Sequence, residues 1–335
     1  MEDAMLQAWP REYHAAKDSR FHFHDQLGCS GDMAAEIIAG LTARSRYLSA
    51  RFLYDQQGAA LFEAITDLPE YYLPRMERSI IAGHCNEISA LIGPGRVLIE
   101  PGSGNCSKVE WMLEALRPAA YVPVDVTREQ LTLSAQRLVA RYPWLEVHAI
   151  CADFGSDIRL PGSLADRPRL LFFPGSTIGN FTPAEAIAFL ARMRQLCGEH
   201  GALLIGVDLY KNEDLLNAAY NDSAGITAQF NLNVLKHVNE VAGGNFECDR
   251  FRHVAFFNDS ESRVEMHLES CVDQTVTVGD HQLVFRQGDR IHTENSYKYT
   301  IAGFRAVAEA AGFVARHTWC DENGWFSVHL LEHPG

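Results

Sequence analysis

The sequence predicts an α/β protein built around a doubly wound parallel sheet. From about residue 96, short apolar segments alternate with segments that have helical spacing. Glycine or aspartate lies at the end of the first four apolar segments, where strands turn into helices. Segments with a two-residue period appear only after residue 209, so antiparallel structure is confined to a later part of the chain. This alternation indicates parallel strands joined by right-handed crossovers.

Five strands and the intervening helices form the predicted core. Thr127 is expected to cap one helix, with Glu129 in its first turn. Thr182 and Glu185 form a capping-box pattern, with Pro183 at the first helical position. The strands are predicted at 96–100, 121–126, 145–151, 169–173 and 202–209, and the helices at 107–116, 127–141 and from 182 onward.

A second lobe is predicted from the later part of the chain. A long helix is expected at 212–239 and an antiparallel sheet at 252–257, 262–268, 275–278 and 282–285. A helix at 304–311 and strands at 314–319 and 325–331 then return to the parallel sheet. We therefore expect residues 75–211 and 297–335 to form the core, and residues 20–74 and 212–296 to form a second lobe.

Composition excludes several classes of partner. The chain has 335 residues, 29 of them basic and 43 acidic, with a net charge of −14. Nucleic acid and anionic membranes would be repelled. The apolar stretches are too short to span a membrane, and the first 20 residues lack the apolar core of a signal peptide, so a cytoplasmic protein is expected. The eight cysteines form no CxxC pair, and His22 and His24 lack partners at ligand spacing, so no metal is expected.

Candidate cofactor-binding residues follow successive strands. Ligands of doubly wound sheets bind beyond the carboxyl ends of the strands. Glycines there allow a ligand to approach the backbone N–H groups. In strand order, the residues at these ends are Gly102 and Gly104, then Asp125, then Asp153 and Phe154, then Gly175.

The spacing distinguishes two nucleotide cofactors. A dinucleotide loop requires G-x-G-x-x-G, but Ser107 occupies the place of the third glycine. S-adenosylmethionine (SAM) has no pyrophosphate and does not need that glycine, so the pattern favours SAM over NAD. Asp125 is placed to accept hydrogen bonds from both ribose hydroxyls, and Asp153 beside Phe154 is suited to an adenine. Lys108 can bind the cofactor's carboxylate or be a solvated first-turn lysine, and spacing alone favours the latter.

The chain resembles the SAM-dependent histidine N-alpha-methyltransferases of ergothioneine biosynthesis. The resemblance is carried, in order from residue 52 to 299, by FLYDQQGAALFEAITDLPEYY, EPGSGNCSK, VPVDV, ADF, GSTIGN, GVDLYKN, AYNDSAGITAQFNLNVL, RVEM and TENSYKY. LPEYY, GSTIGN and TENSYKY are much more specific than a glycine loop. The resemblance implies a doubly wound, Rossmann-like class I methyltransferase core with an inserted α+β substrate lobe, and SAM as cofactor.

The resemblance also implies residue roles. It places a histidine substrate in a polar pocket and the cofactor at the strand ends. The imidazole would be held by Glu294 and Ser296 beside Met266, the α-amino and carboxylate groups by Tyr71, Asn180 and Tyr220, and the reacting amine would lie near the catalytic pair Tyr54 and Asn180. The implied cofactor-binding residues are Gly102, Lys108, Asp125, Asp153, Phe154 and Gly175. Asn105 and Cys106 depart from the usual glycine turn, which affects details of methionine-tail binding.

The implied reaction is trimethylation of the α-amino group of L-histidine, which gives N-alpha-trimethylhistidine (hercynine). The expected partner is thus a small-molecule substrate, and the enzyme is expected to be a monomer. Three other interpretations stay open. The same fold can methylate another amino acid or small amine. The protein can also be an NAD-dependent oxidoreductase, or a SAM-binding module without catalysis. Taken singly, each residue also has a plainer role, such as packing for the tyrosines, solvation for Glu294 and helix capping for Asn180.

Overall fold

A computed structural model describes residues 18–27 and 33–333. Its strands are β1 (Phe21–Asp25), β2 (Val97–Pro101), β3 (Ala120–Asp125), β4 (Val147–Cys151), β5 (Arg169–Phe173), β6 (Ala202–Asp208), β7 (Phe251–Asn258), β8 (Arg263–Ser270), β9 (Gln274–Val278), β10 (His281–Phe285), β11 (Arg290–Tyr297), β12 (Val314–Cys320) and β13 (Phe326–Glu332). Its α-helices are α1 (Met33–Thr42), α2 (Gln56–Thr66), α3 (Leu73–Ile92), α4 (Leu113–Leu116), α5 (Arg128–Arg141), α6 (Pro183–Cys197), α7 (Glu213–Tyr220), α8 (Ile226–Ala242) and α9 (Ile301–Ala310).

The core is an eight-stranded sheet in the order β1-β4-β3-β2-β5-β6-β13-β12. The first six strands of this order run parallel, and β13 and β12 complete the sheet in antiparallel pairing. Apolar side chains cover both faces in two separate clusters, which explains the nearly continuous apolar character of β5 and β6. The predicted α/β class with a doubly wound sheet is therefore confirmed.

Local signals predicted some helix ends well. The side chain of Thr182 accepts from the N–H of Glu185, and Glu185 binds back to Thr182, so the predicted capping box is present. Thr127 occupies the N-cap of α5 without a side-chain cap, and its own N–H donates to Asp125. The predicted helix at 107–116 is a 3-10 turn followed by the single-turn α4, because the backbone leaves helical geometry at Met112. Its apolar residues are nevertheless buried as expected.

The amino-terminal part of the chain differs from the predicted boundary. Residues 20–74 were expected in the substrate lobe, but β1 pairs in parallel with β4 at the edge of the core sheet. A single five-residue strand with four half-buried positions gives little periodic signal, and its partner lies more than 120 residues further along the chain.

The later lobe contains the predicted helices and strands with two changes. The long helix expected at 212–239 is two helices, α7 and α8, because the chain turns at Gly225 with a φ of 69°. The expected antiparallel sheet is a three-stranded sheet in the order β11-β8-β7 and a separate hairpin of β9 and β10. Within residues 18–27 and 33–333, no helix has the length and apolar character needed to cross a membrane.

Candidate active site

The glycine loop after β2 is fixed by the carboxylate at the end of β3. The backbone N–H of Gly104 donates to Oδ2 of Asp125 at 2.9 Å, and the N–H of Thr127 donates to Oδ1 at 2.9 Å. Gly102 and Gly104 have φ angles of 69° and 51°, which residues other than glycine rarely adopt. These contacts place the loop and Asp125 together at the carboxyl edge of the sheet.

The next strand end supplies an aromatic wall for this loop. A Cβ added to Gly102 would lie 3.4 Å from Cε1 of Phe154, so the ring packs directly against the loop. Asp153 Oδ1 accepts from the N–H of Gly155 at 2.7 Å. The Ser103 hydroxyl is buried and has no hydrogen-bond partner among the described residues, and the Cβ direction of Gly104 is open. An apolar wall, a free hydroxyl and open space beside glycine backbone fit a nucleoside cofactor.

Lys108 and Gly175 meet at a carboxylate that the sequence analysis did not find. Glu77, fully buried on α3, has Oε2 3.0 Å from Nζ of Lys108, and its Oε1 accepts from the N–H of Gly175 at 2.7 Å. Lys108 is therefore an ion-pair partner and not simply a solvated lysine. The available signal was a single glutamate at an apolar position of the segment that forms α3, which was not predicted as a helix.

Glu294 on β11 is the centre of a second cluster. Its Oε1 accepts from Nδ2 of Asn180 at 2.9 Å and lies 3.5 Å from the hydroxyl of Tyr54. Burial raises the pKa of Glu294 to about 7, against the opposing effects of the Lys298 charge and the bonds from Tyr54 and Asn180. The carboxyl group can therefore exchange a proton near neutral pH, where an imidazole also titrates.

Ser296 lies two residues further along β11 and on the same side of the strand as Glu294. The Tyr220 hydroxyl donates to Ser296 Oγ at 2.7 Å. Nζ of Lys298 donates to Ser296 Oγ at 2.8 Å and to the Tyr220 hydroxyl at 3.0 Å. Burial raises the pKa of Tyr220 well above its usual value, so its hydroxyl stays protonated.

The structure brings the remaining predicted substrate residues to the same cluster. Met266 on β8 is the register partner of Glu294. The rings of Tyr71 and Tyr220 meet edge to face, with centroids 6.1 Å apart. A chain of aromatic contacts surrounds Tyr54, formed by Phe62, Phe230 and Tyr71. Residues from distant segments thus converge on one buried cluster, and their individual roles stay predictions.

One short segment joins the two clusters. It begins at Gly175, beside Lys108 and Glu77, and ends at Asn180, beside Glu294. Gly179 lies so close to β11 that a Cβ there would be 2.9 Å from the carbonyl oxygen of Tyr297. The GSTIGN motif therefore extends from the strand ends of the core to the cluster around Glu294.

A buried charge network next to Tyr220 was also not predicted from the sequence. Asp208, at the end of β6, pairs with Lys298 at 2.7 Å and with Lys211 at 2.6 Å, and it accepts from the Tyr72 hydroxyl at 2.8 Å. Asp208 and Lys298 are fully buried, and burial lowers the pKa of Lys211 to about 8. The signal was present, because these residues lie inside the LPEYY, GVDLYKN and TENSYKY motifs.

Comparisons with known proteins agree with this geometry. A family model described as histidine-specific, SAM-dependent methyltransferase matches residues 33–333. The histidine N-alpha-methyltransferase of Mycolicibacterium smegmatis is 38% identical over 90% of this chain and 96% of that protein. The protein of the same name from Mycobacterium tuberculosis is 36% identical over 88% and 93%. The L-tryptophan methyltransferase of Psilocybe serbica is 25% identical over 92% and 94%.

The doubly wound core, the glycine loop at its strand ends and these relatives together define an enzyme of the SAM-dependent N-methyltransferase class. S-adenosylmethionine is its cofactor, as the sequence predicted. More narrowly, the chain belongs to the histidine-specific methyltransferase family.

Proposed function

We propose that the enzyme transfers three methyl groups to the α-amino nitrogen of L-histidine and releases N-alpha-trimethylhistidine (hercynine), a precursor of ergothioneine. The observation that carries this proposal is the pairing of Glu294 with Ser296 on one side of β11. A neutral imidazole has one N–H donor and one bare acceptor nitrogen. A buried carboxylate and a buried hydroxyl two residues apart match these two nitrogens.

The same pair explains selectivity for histidine. A side chain without two ring nitrogens would leave Glu294 or Ser296 buried without a partner, which costs binding free energy. The pKa of Glu294 near 7 supports a charge-assisted bond with the imidazole, whose pKa lies close by. Met266, next to Glu294 in register, supplies an apolar contact for the ring.

The cofactor residues would lie at the strand ends of the core. Gly102, Asp125, Asp153, Phe154, Lys108 and Gly175 are the residues that would hold SAM. When bound, SAM supplies an electrophilic methyl group on a sulfonium. The remaining task of the protein is to align an amine with that methyl group.

Tyr54 and Asn180 would orient the amine. Burial raises the pKa of Tyr54 well above its usual value, so the hydroxyl acts as a hydrogen-bonding group and not as a base at neutral pH. Each methylation removes an N–H donor and adds an apolar group. The aromatic rings around Tyr54 tolerate this change, because aromatic faces attract quaternary ammonium groups.

Mass spectrometry of free L-histidine incubated with the enzyme and SAM tests the proposal. We expect successive additions of one, two and three methyl groups, ending in the trimethylated product. Fragmentation is expected to place all three groups on the α-nitrogen and none on the ring. Ring methylation, or no methylation of histidine, would contradict the proposal.

Methylation of another amino acid is the second candidate function, since a relative of this chain is named as an L-tryptophan methyltransferase. A competition assay with histidine, tryptophan and arginine distinguishes the two. Preference for histidine is expected, because an indole offers a single N–H and no acceptor nitrogen to the Glu294 and Ser296 pair.

Asp125 provides a test of the cofactor site. In Asp125→Asn the amide nitrogen cannot accept, so one of the N–H groups of Gly104 and Thr127 loses its acceptor. If the SAM-bound loop needs both bonds, losing one costs the complex about 1–3 kcal/mol, so the Kd of SAM is expected to rise about 5- to 150-fold. Isothermal titration with SAM measures this. Asp157→Asn is the matched control, because Asp157 is exposed in the loop after β4. An equal effect of that substitution would refute the role of Asp125.

The setting of the enzyme is also a proposal. The net charge of −14 supports a protein that binds no nucleic acid, and we further propose that the enzyme is a cytoplasmic monomer. Light scattering during size-exclusion chromatography is expected to give the mass of one chain, 37.4 kDa. A mass of two chains would refute the monomer.

A further inference from the structure

Four titratable side chains cluster on one face of the sheet edge, outside the active site. His22 on β1 is the register partner of His148 on β4. Alternate residues of a strand point to the same face, so His24 joins His22 and Glu146 joins His148. His22 and His24 have no neighbours at metal-ligand spacing in the sequence, because the partners come from a strand distant in the chain.

The separations in this cluster match those between the ligands of a metal ion. Oε1 of Glu146 lies 3.0 Å from Nε2 of His148 and 3.4 Å from Nε2 of His22. One ligand atom from each of the three residues lies within 4.8 Å of the others. In a tetrahedral zinc site with bonds of about 2.0–2.1 Å, neighbouring ligand atoms are about 3.4 Å apart.

A fourth residue orients the central imidazole. Nε2 of His24 is 3.1 Å from Nδ1 of His148. Metal-binding histidines usually have their second ring nitrogen held in this way, which fixes the tautomer. With Nδ1–H of His148 donating to His24, the lone pair of His148 Nε2 faces Glu146. The His22 ring is stacked on His148 at 4.4 Å, and its 39% exposed side chain can turn about the Cβ–Cγ bond to bring its own lone pair to the same point.

Local charge favours this cluster over a second one of similar composition. Glu265, His267 and His292 also lie close together, but Arg263 pairs with Glu265 at 2.8 Å. A metal cation there would compete with a guanidinium. In the part of the chain that the structure describes, the recorded ion-pair partners of Glu146 are His22 and His148.

We propose that His22, Glu146 and His148 bind one divalent transition-metal ion of the zinc class. His24 is the positioning residue that holds His148. Two imidazoles and one carboxylate suit zinc and its neighbours and not magnesium, which prefers oxygen ligands. Because β1 is an edge strand with one neighbour, the ion links it to β4 through side chains in addition to the backbone ladder.

Zinc titration of the EDTA-treated full chain by isothermal calorimetry tests the proposal. We expect one ion per chain, and a rise in Tm with ZnCl2 but not with MgCl2. His22→Ala and Glu146→Gln are expected to remove this binding. Both side chains are substantially exposed, so the Tm measured in EDTA should stay near that of the wild type. His24→Ala is expected to weaken binding by about 10–100-fold.

Two controls make the result specific. His281→Ala removes an exposed histidine from β10 and should leave zinc binding unchanged. Binding that persists in His22→Ala and Glu146→Gln, or that is lost in His292→Ala, would place the ion elsewhere and overturn the proposal. Absence of zinc binding to the wild-type chain would overturn it as well, and binding without a rise in Tm would overturn the link between the strands.

Discussion

Replacement of Glu294 by alanine is expected to raise the KM for histidine by about 10²-fold or more and to leave the Kd of SAM nearly unchanged. The substitution removes the buried carboxylate proposed to bind the imidazole, and bonds to charged groups contribute about 1.5–3 kcal/mol, with a further penalty for an unpaired ring nitrogen. Glu294 lies in the lobe cluster, whereas the glycine loop is held by Asp125. Steady-state kinetics and SAM titration measure the two effects separately.

Equal losses of histidine and SAM affinity would refute this assignment, because they would indicate general damage to the fold. Glu261→Ala, which replaces an exposed glutamate between β7 and β8, is the matched control and should change neither constant.

The Glu294→Gln variant tests how the stability of the protein depends on pH. The raised pKa means that the neutral acid is favoured in the folded protein, so the stability from this group is present at low pH and is lost as pH rises from about 4.5 to about 7. The unliganded Gln variant is therefore expected to be more stable than the wild type at pH 8 and to lose that advantage near pH 5.

Asp208→Asn is expected to lower the free energy of unfolding by about 3–5 kcal/mol. The substitution leaves the ammonium groups of Lys298 and Lys211 buried without their carboxylate, and an uncompensated buried charge carries a penalty of this size. Urea unfolding followed by circular dichroism measures the change. The double variant Asp208→Asn with Lys298→Met is expected to recover part of the lost free energy of unfolding, because it removes one of the two unpaired buried ammonium groups.

The matched control for this prediction is Asp25→Asn. Asp25 pairs with Arg128 at the surface, where both side chains are exposed, so the expected change is below about 1 kcal/mol. If Asp208→Asn changed stability as little as this control, the buried network would not hold the end of β6 in place.

Local patterns predicted most of the core. Uninterrupted apolar segments located the parallel strands, and the capping box at Thr182 located the start of α6, because these signals depend on neighbours in sequence. β1 and the break between α7 and α8 could not be predicted in this way. A five-residue edge strand carries little periodicity, and Gly225 lies in an otherwise continuous helical pattern.

Motifs selected the candidate substrate residues, whereas positions at successive strand ends also indicated the candidate cofactor residues. The resemblance selected Tyr71, Glu294 and Ser296, and the structure gathers them in one cluster of contacting side chains. Glu77 and Asp208 were missed for a physical reason. A buried carboxylate is easiest to recognise when its cationic partners are known. Lys108, the partner of Glu77, and Lys298, a partner of Asp208, come from remote segments, whereas Lys211 lies only three residues from Asp208.

The short stretch from Gly175 to Asn180 has a consequence for how the two ligands influence each other. One end is held by Glu77, next to the proposed cofactor residue Lys108, and the other end is held by Glu294, in the proposed histidine site. Gly179 within this segment packs against the backbone of β11, so the segment has little room to move between its two ends. We therefore expect occupancy at either end to alter the geometry at the other, in which case thermodynamic reciprocity requires each ligand to alter the affinity of its companion by the same factor.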